Sequence, residues 1–351
     1  MTLKREALMW EKREQDAVRC NLCPNYCMLK PGKIGKCGAR KNENGVLNTL
    51  VYGGLSAMTP DPIEKKPFFN FWPGSGAFSI SSVGCTLHCK NCQNYHISQK
   101  IAENYQLEEV TAAEVVEGAI KAQCRSIAYT YNEPLTFYEF IIDCSKLAHS
   151  KGLLTLLVTN GYITLKALEP LVPLIDAANV DIKGITDKFY KEICGVPHVK
   201  PILEATKYMK DHGVHVECTN LVIPGYNDTP EEIRELAEWV FKELGPDVPL
   251  HFSRFHPLYE LSHLPATPVN TLVKARQIAR DIGLRYVYCG NVPGETGENT
   301  FCPKCENMVV GRMGFSITKW DLNEKNQCNK CGTPIPIVGE YTPSKNWGFY
   351  F

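Results

Sequence analysis

The chain has 351 residues, 44% of them hydrophobic, which is enough for a sizeable core in two or three domains or in one α/β barrel with additions. Its 38 Lys and Arg balance 38 Asp and Glu, so bulk charge does not favour binding to nucleic acid or to an anionic membrane. The N-terminus is charged, and no apolar run approaches the roughly 20 residues that span a bilayer, so we expect a cytoplasmic protein.

Sixteen cysteines are the most informative feature of the composition. Disulfides are typical of small secreted domains, whereas short C-x2-C and C-x3-C spacings in a cytoplasmic chain indicate metal sites. Three groups have such spacings: an N-terminal tetrad (Cys20, Cys23, Cys27, Cys37), a central triad (Cys85, Cys89, Cys92) and a tail tetrad (Cys302, Cys305, Cys328, Cys331). We interpret most of the other five as small buried hydrophobic residues: Cys124, Cys144, Cys194, Cys218 and Cys289.

The N-terminal tetrad belongs to a predicted Cys-rich region, residues 1–75. Its four thiols are a candidate second metal site. The spacing favours zinc by a narrow margin. A cluster that relays electrons and an open site that binds substrate remain alternatives.

Strands alternating with helices are predicted over residues 76–298. The predicted strands are Phe78–Val83, Ser126–Tyr131, Leu153–Val158, Ala177–Ile182, Val214–Val222, Leu250–Phe255 and Tyr286–Tyr288. The predicted helices are one that starts at the capping box Thr111–Glu114, and then Leu135–His149, Thr164–Leu174, Pro201–His212, Thr229–Leu244 and Pro268–Asp281. Such units form parallel sheets, and six or seven are too few for a closed eight-stranded barrel. We predict a partial (β/α)6 barrel, with a doubly wound open sheet as the alternative.

Polar residues cluster directly after the predicted strands. They are Cys85, Asn132, Glu133, Thr159, Asn160, Asp181, Lys183, Asn220, His256 and Asn291. The carboxyl ends of parallel strands form one face, where active sites assemble. Turn formation by Asn and Asp explains any one of these residues, but less easily all of them.

The central triad follows the first strand of the repeating region. Three thiolates on one loop can hold three irons of a cubane [4Fe–4S] cluster and leave the fourth iron open for chemistry. The alternative is a zinc site of three cysteines and one histidine, either His88 or His96.

The C-x3-C-x2-C motif after a first strand resembles the radical SAM (S-adenosylmethionine) superfamily. The remaining motifs resemble one branch, the AmmeMemoRadiSam-system radical SAM enzymes, which are related to pyruvate formate-lyase activating enzymes. The matching stretches are Cys20–Cys27, Phe78–Cys85, Cys92–Asn94, Tyr131–Pro134, Thr159–Gly161, Asp181–Gly184 and Thr219–Asp228. The resemblance spans nearly the whole chain and implies a barrel of the radical SAM type.

The resemblance also implies a mechanism and cofactors. SAM chelates the open iron, and one electron from the reduced cluster yields a 5′-deoxyadenosyl radical that abstracts hydrogen from a substrate. The implied electron donor is a protein such as reduced ferredoxin or flavodoxin. The residues implied in SAM binding are Glu133 for the amino group, Thr159 and Asn160 near the ribose or methionyl group, the pair Asp181 and Lys183, and His256.

Two positions depart from the superfamily pattern. Tyr131 and Asn132 precede Glu133, where Gly-Gly is common. Asn91 precedes the third cysteine of the triad, where an aromatic residue usually packs near the adenine. Tyr95 is a candidate substitute for that aromatic residue.

The tail tetrad, in residues 299–351, consists of two C-x2-C pairs separated by 22 residues. Four protein ligands close the site, which favours structural zinc over rubredoxin-like iron or an auxiliary [4Fe–4S] cluster. We therefore predict a small zinc-ribbon-like tail.

The favoured function is a radical SAM oxidoreductase that acts on an unidentified substrate, and a protein is one candidate for it. The branch name implies functional association with Memo-like and AMMECR-domain proteins. The first alternative is an activase of a glycyl radical enzyme. The others are a non-enzymatic zinc-binding module that holds protein or nucleic acid, and an electron-transfer protein. Neutral net charge weakens the nucleic-acid version.

Overall fold

All seven strands predicted from residue 76 onward form, and they lie side by side in one parallel sheet. The computed structural model describes residues 3–292 and 296–343. The predicted α/β fold, with a parallel sheet and a Cys-rich tail, is therefore confirmed. The domain boundaries at residues 75 and 298 stay predictions.

The strands are short in the N-terminal region and longer in the barrel. Those of the N-terminal region are β1 (Arg5–Glu6), β2 (Trp10–Lys12), β3 (Val18–Cys20), β4 (Met28–Leu29), β5 (Arg40–Glu43), β6 (Val46–Thr49) and β7 (Gly54–Leu55). Those of the barrel and its margin are β8 (Ala57–Pro62), β9 (Gly76–Ser81), β10 (Glu108–Glu109), β11 (Ser126–Tyr129), β12 (Leu154–Thr159), β13 (Ala177–Asp181), β14 (His215–Val222), β15 (Leu250–Arg254) and β16 (Val287–Gly290). Those of the tail are β17 (Thr300–Phe301), β18 (Met308–Met313) and β19 (Ser316–Trp320).

The central sheet has the strand order β16-β15-β14-β13-β12-β11-β9-β8. Neighbouring strands from β9 to β16 run parallel, and β8 pairs antiparallel with β9 at one edge. Among the described residues β8 and β16 do not pair, so the sheet remains an open, partial barrel.

Helices connect the parallel strands. They are α1 (Tyr95–Ser98), α2 (Ala112–Lys121), α3 (Tyr138–Ser150), α4 (Leu165–Leu168), α5 (Asp187–Phe189), α6 (Lys200–Asp211), α7 (Pro230–Trp239) and α8 (Val269–Ile282). The predicted capping box at the start of α2 is present, since Thr111 and Glu114 each bond the other's backbone N–H. No helix of the described ranges is both long and apolar enough to cross a membrane.

The two ends of the barrel interior differ in character. One contains an apolar cluster in which Phe68 and Phe71 pack against small residues of the strands, such as Ala77, Ala128 and Ala177. Small strand residues leave room for these rings, which close that part of the interior. The polar residues that follow the strands lie at the opposite, carboxyl ends.

The N-terminal region shares the main hydrophobic core with the barrel. A buried ion pair connects the two parts: Nη2 of Arg40 on β5 lies 2.7 Å from Oε1 of Glu139 on α3. Both side chains are at most 2% exposed. Breaking such a pair costs about 3–5 kcal/mol, because one charge is left buried without a partner. This contact therefore fixes the N-terminal region against the barrel.

Candidate active site

The polar strand ends surround one cavity of about 600 Å³. Eight residues predicted from the sequence line it: Cys85, Cys89, Cys92, Glu133, Thr159, Asn160, Asp181 and Lys183. His256 is exposed and is not among the lining residues, so its role in SAM binding stays a prediction. The fold thus brings together all of the central triad and most of the residues implied in SAM binding.

The central triad lies on the loop after β9, and this loop is held by backbone contacts. The N–H groups of His88 and Lys90 donate to the carbonyls of Cys194 and Ile193, at 2.9 Å each. Gly84, which opens the loop, has φ +86°, and a Cβ there would approach the Cys37 carbonyl oxygen to 2.1 Å. Only glycine fits this position, so the loop is closely packed against the N-terminal region.

Hydrogen-bond donors point at two sulfurs of the triad. Leu87 N–H lies 3.4 Å from Cys85 Sγ, and the Asn160 amide nitrogen lies 3.5 Å from the same sulfur. The Ser98 hydroxyl lies 3.0 Å from Cys92 Sγ. Such donors stabilise thiolates that bind iron.

The central triad is less compact than the tail tetrad. Among the described residues, only the tail tetrad brings three or more metal-ligating atoms within 4.8 Å of one another. The triad together with His88 or His96 does not form so tight a group. Wider spacing is expected when each thiolate binds a different iron.

Glu133 connects the ends of two strands through its buried carboxylate. Oε1 accepts from the Thr159 hydroxyl at 2.7 Å and from Leu135 N–H at 3.2 Å. Oε2 accepts from Asn160 N–H at 2.8 Å. A carboxylate accepts about four hydrogen bonds, so Oε2 retains an acceptor position. Burial raises the pKa of Glu133 to about 7.

Tyr131, two residues before Glu133, adopts a backbone conformation that glycine favours. Tyr131 has φ +69°, a left-handed conformation that is rare outside glycine. Its hydroxyl donates to Asp61, and the Lys66 ammonium lies 4.7 Å from its ring centroid. The Asn132 amide nitrogen donates to the Gly84 carbonyl at 3.0 Å, which joins this turn to the triad loop.

Asp181 and Lys183 form an ion pair of 2.8 Å at the end of β13. Burial lowers the pKa of Lys183, but Asp181 and the Cys89 thiol outweigh it and raise that pKa well above the ordinary value. Lys183 thus keeps its charge beside the triad.

Asn91 and Tyr95 occupy different environments. Asn91 is 7% exposed and lines the cavity, and its Oδ1 has no hydrogen-bond partner among the described residues. Tyr95 instead stacks on Tyr259, with ring centroids 4.5 Å apart. Tyr95 is not a lining residue, so the structure does not bring it to the position proposed for an aromatic substitute.

Three buried ionisable residues of the cavity wall escape prediction from the sequence: Glu64, Lys66 and His251. Glu64 and Lys66 follow β8, a strand that the sequence pattern does not predict because it contains two prolines. His251 lies within β15, 2.6 Å from the buried Glu217 carboxylate. The sequence offered one signal for these three residues, which was the presence of His251 inside a predicted strand.

The tail tetrad forms a compact four-sulfur group. Cys302 and Cys331 sulfurs lie 3.5 Å apart, and those of Cys305 and Cys328 lie 3.7 Å apart. Zn–S bonds of about 2.3 Å in a tetrahedron place sulfurs about 3.8 Å apart, so the site fits a single ion. The tip of the β18–β19 hairpin reaches the cavity through Gly314 and Phe315.

Changing both Cys328 and Cys331 to Ser should remove the tail metal and unfold or destabilise the tail. Metal binding to such sites contributes on the order of 10 kcal/mol, which becomes folding free energy. If the central triad binds iron and cleaves SAM, as the family resemblance implies, this variant should do both as well as the unaltered chain. Metal content, limited proteolysis and 5′-deoxyadenosine formation would measure these effects. A variant that keeps its tail fold and metal but loses SAM cleavage would identify the tail as a redox or catalytic site instead.

Comparison with known proteins places this cavity in a family context. The profile of the Radical SAM superfamily matches residues 79–240, a range that contains the central triad and Glu133. Over 335 residues the chain is 44% identical to the uncharacterized protein MJ0808 of Methanocaldococcus jannaschii, covering 95% of this chain and 99% of that protein.

Other similarities cover less of the chain. The chain is 28% identical to the pyruvate formate-lyase-activating enzyme of Streptococcus mutans, over 46% of this chain and 65% of that enzyme. A radical SAM methyltransferase structure from Sphaerobacter thermophilus overlaps 63% of this chain and 67% of that chain, with 18% identity and a TM-score of 0.48.

Proposed function

This chain belongs to the radical SAM superfamily and is an enzyme of that class, and from this premise we propose that it cleaves SAM reductively at a [4Fe–4S] cluster held by the central triad. When bound, the cluster and SAM together supply a 5′-deoxyadenosyl radical for hydrogen abstraction from a substrate. One observation carries the proposal: the three cysteines of the triad and the buried carboxylate of Glu133 line the same cavity. That carboxylate still has a free acceptor position.

Glu133 would accept hydrogen bonds from the N–H groups of the SAM amino nitrogen. The contacts of Glu133 with Thr159, Leu135 and Asn160 fix the carboxylate, and Oε2 keeps an acceptor position. A preorganised acceptor needs little reordering when the ligand binds. Asn160 also donates to Cys85 Sγ, so one residue connects the carboxylate of Glu133 with the cysteine loop.

Asp181 and Lys183 would orient the rest of SAM. Lys183 carries a positive charge beside the triad and is suited to the SAM carboxylate, while Asp181 holds the ammonium of Lys183 in place. Thr159 and Asn160 would lie near the ribose or methionyl group.

Asn91 would recognise the adenine by hydrogen bonding, in place of aromatic packing. Its unpartnered Oδ1 is a buried acceptor at the cavity wall. A buried polar atom without a partner costs about 1–3 kcal/mol, and the exocyclic amino group of adenine would satisfy it. This role explains why a polar residue is tolerated where the superfamily usually has an aromatic one.

The substrate would enter beside the tail hairpin. Part of the cavity wall lies outside the triad loop. This part includes Phe315 at the hairpin tip and the buried residues Glu64, Lys66 and His251. Substrate selection would therefore depend on the tail and on the segment after β8.

We favour modification of an unidentified substrate over activation of a glycyl radical enzyme. The similarity to the activating enzyme from Streptococcus mutans covers 46% of the chain, so more than half of the chain lies outside it. Similarity to activating enzymes nonetheless supports a second candidate function, in which the substrate is a protein. We further propose a cytoplasmic location and functional association with Memo-like and AMMECR-domain proteins.

The test is anaerobic purification, cluster reconstitution and a search for 5′-deoxyadenosine formed from SAM. We expect the nucleoside to form with dithionite and with reduced ferredoxin or flavodoxin, and to increase when the true substrate is added. A Memo-like protein, an AMMECR-domain protein and a glycyl radical enzyme are the candidates to add. Absence of 5′-deoxyadenosine with every reductant, in protein that holds its full iron content, would contradict the proposal.

A further inference from the structure

All four cysteines of the N-terminal tetrad line one small cavity. We propose that this tetrad holds a second [4Fe–4S] cluster, which passes single electrons to the central triad. The relay part rests on the proposed function, because it needs a redox centre at the triad to receive the electron. The metal content of the tetrad can be tested independently.

The spacing of the tetrad distinguishes it from the tail tetrad. The tail sulfurs lie 3.5 and 3.7 Å apart in pairs, as a single tetrahedral ion requires. Among the described residues no three ligating atoms of the N-terminal tetrad meet the 4.8 Å spacing that the tail tetrad meets. In a cubane each thiolate binds its own iron, so the sulfurs stand farther apart.

The cysteines still surround a common space. A Cβ built on Gly35 would lie 3.8 Å from Cys27 Sγ and 3.9 Å from Cys37 Sγ, so both sulfurs face this glycine. Cys20 and Cys23 are buried and contribute to the wall of the same cavity. The four thiols therefore surround a common space, which stays open at position 35 because that residue is a glycine.

A buried cation faces the cavity and fits an anionic cluster. Arg40 is 1% exposed and lines the cavity. Its Nη2 bonds both oxygens of Glu139, at 2.7 and 2.8 Å, and its Nη1 bonds the Leu8 carbonyl. Its Nε has no partner among the described residues. Four thiolates around an iron–sulfur core carry net negative charge, and an N–H donor to their sulfurs would satisfy Nε and tune the reduction potential.

Two contacts connect the tetrad with the triad loop. The Asn25 amide nitrogen lies 3.6 Å from Cys23 Sγ and 2.8 Å from the Thr86 carbonyl oxygen. Cys85 N–H donates to the Cys37 carbonyl at 3.3 Å. Thr86 lines the tetrad cavity, while Cys85, its neighbour in the chain, lines the active-site cavity.

This adjacency suits electron transfer. Neighbouring residues of one loop border both sites, so the path between them stays within packed protein. A low-potential one-electron donor, such as reduced ferredoxin or flavodoxin, would reduce the tetrad cluster by one electron. Transfer of that electron to the cluster at the central triad would return the tetrad cluster to its oxidised state. No covalent bond would form or break in this step.

The test compares wild type with a Cys23→Ser/Cys37→Ser variant, both reconstituted anaerobically. Wild type should contain about eight irons and the variant about four, since one cubane is lost. In wild type, one reduced EPR signal should respond to SAM and a second should not; the variant should lack the second. With reduced flavodoxin the variant should lose most of its 5′-deoxyadenosine formation, and with dithionite it should lose much less.

The matched control is the Cys328→Ser/Cys331→Ser variant, which also removes two cysteines of a tetrad. It should keep about eight irons and both EPR signals. If the Cys23→Ser/Cys37→Ser variant does not fold, Asn25→Leu provides the second test. It should keep both clusters and lower the potential of the SAM-insensitive one, because it removes an N–H donor to Cys23 Sγ.

Each negative result would contradict a different part of the proposal. Zinc in the tetrad of wild type, with about four irons per chain, would overturn the second cluster. Equal losses with flavodoxin and dithionite would overturn the relay. A SAM-insensitive cluster in protein that never cleaves SAM would uphold the second cluster and contradict the proposed function instead.

Discussion

Replacing Cys85, Cys89 and Cys92 together with Ala should abolish 5′-deoxyadenosine formation and remove about four irons per chain. The three sulfurs line the cavity, and without them no thiolate of this loop remains to bind iron. Iron content, Mössbauer spectra and a 5′-deoxyadenosine assay under reducing conditions would measure the loss.

A matched control is Cys218→Ala. Cys218 is a fully buried residue of β14 that does not line the cavity, so this variant should keep its iron and its SAM cleavage. A triple variant that retained iron responsive to SAM would exclude the central triad as the cluster site.

Glu133→Gln should weaken SAM affinity by roughly ten- to a hundredfold. Loss of a hydrogen bond from the SAM amino group to a charged carboxylate accounts for about 1.5–3 kcal/mol. The three contacts of Glu133 with Thr159, Leu135 and Asn160 also predict a lower melting temperature, because the new amide group opposes at least one of these donors. Equilibrium binding and thermal unfolding would separate the two effects.

The pH dependence of SAM binding tests the contact between Glu133 and the SAM amino group. Burial raises the pKa of Glu133 to about 7, so its ionised fraction increases as the pH rises through that value. Wild-type affinity for SAM should therefore increase from about pH 6 to about pH 8, and Glu133→Gln should lose this increase. Glu114→Gln, an exposed capping substitution, is the control and should leave SAM binding unchanged. Equal pH dependence in wild type and Glu133→Gln would limit Glu133 to a structural role.

The parallel strands could be predicted from the sequence because their apolar runs are long and end at polar residues. Strand β8 could not, because Pro60, Asp61 and Pro62 oppose strand assignment, and only an edge position tolerates them. The strands of the N-terminal region, two to four residues each, are too short to show a period.

The candidate site was predictable where its residues follow strands, as Glu133 and Asp181 do. Contacts between segments that are distant in the chain could not be predicted from the sequence. The Asn25 amide and the Thr86 carbonyl are 61 residues apart in the chain, and no local pattern records their contact. The left-handed backbone at Tyr131 is equally invisible, because the residue type argues against it.

The most direct test of the central claim is the EPR spectrum of the reduced, reconstituted wild-type protein with and without SAM. Binding of SAM to an open iron of the central triad should change the signal of that cluster, and Glu133→Gln should require more SAM for the same change. A cluster signal that SAM leaves unaltered at every concentration, or a triad that holds zinc, would contradict the account.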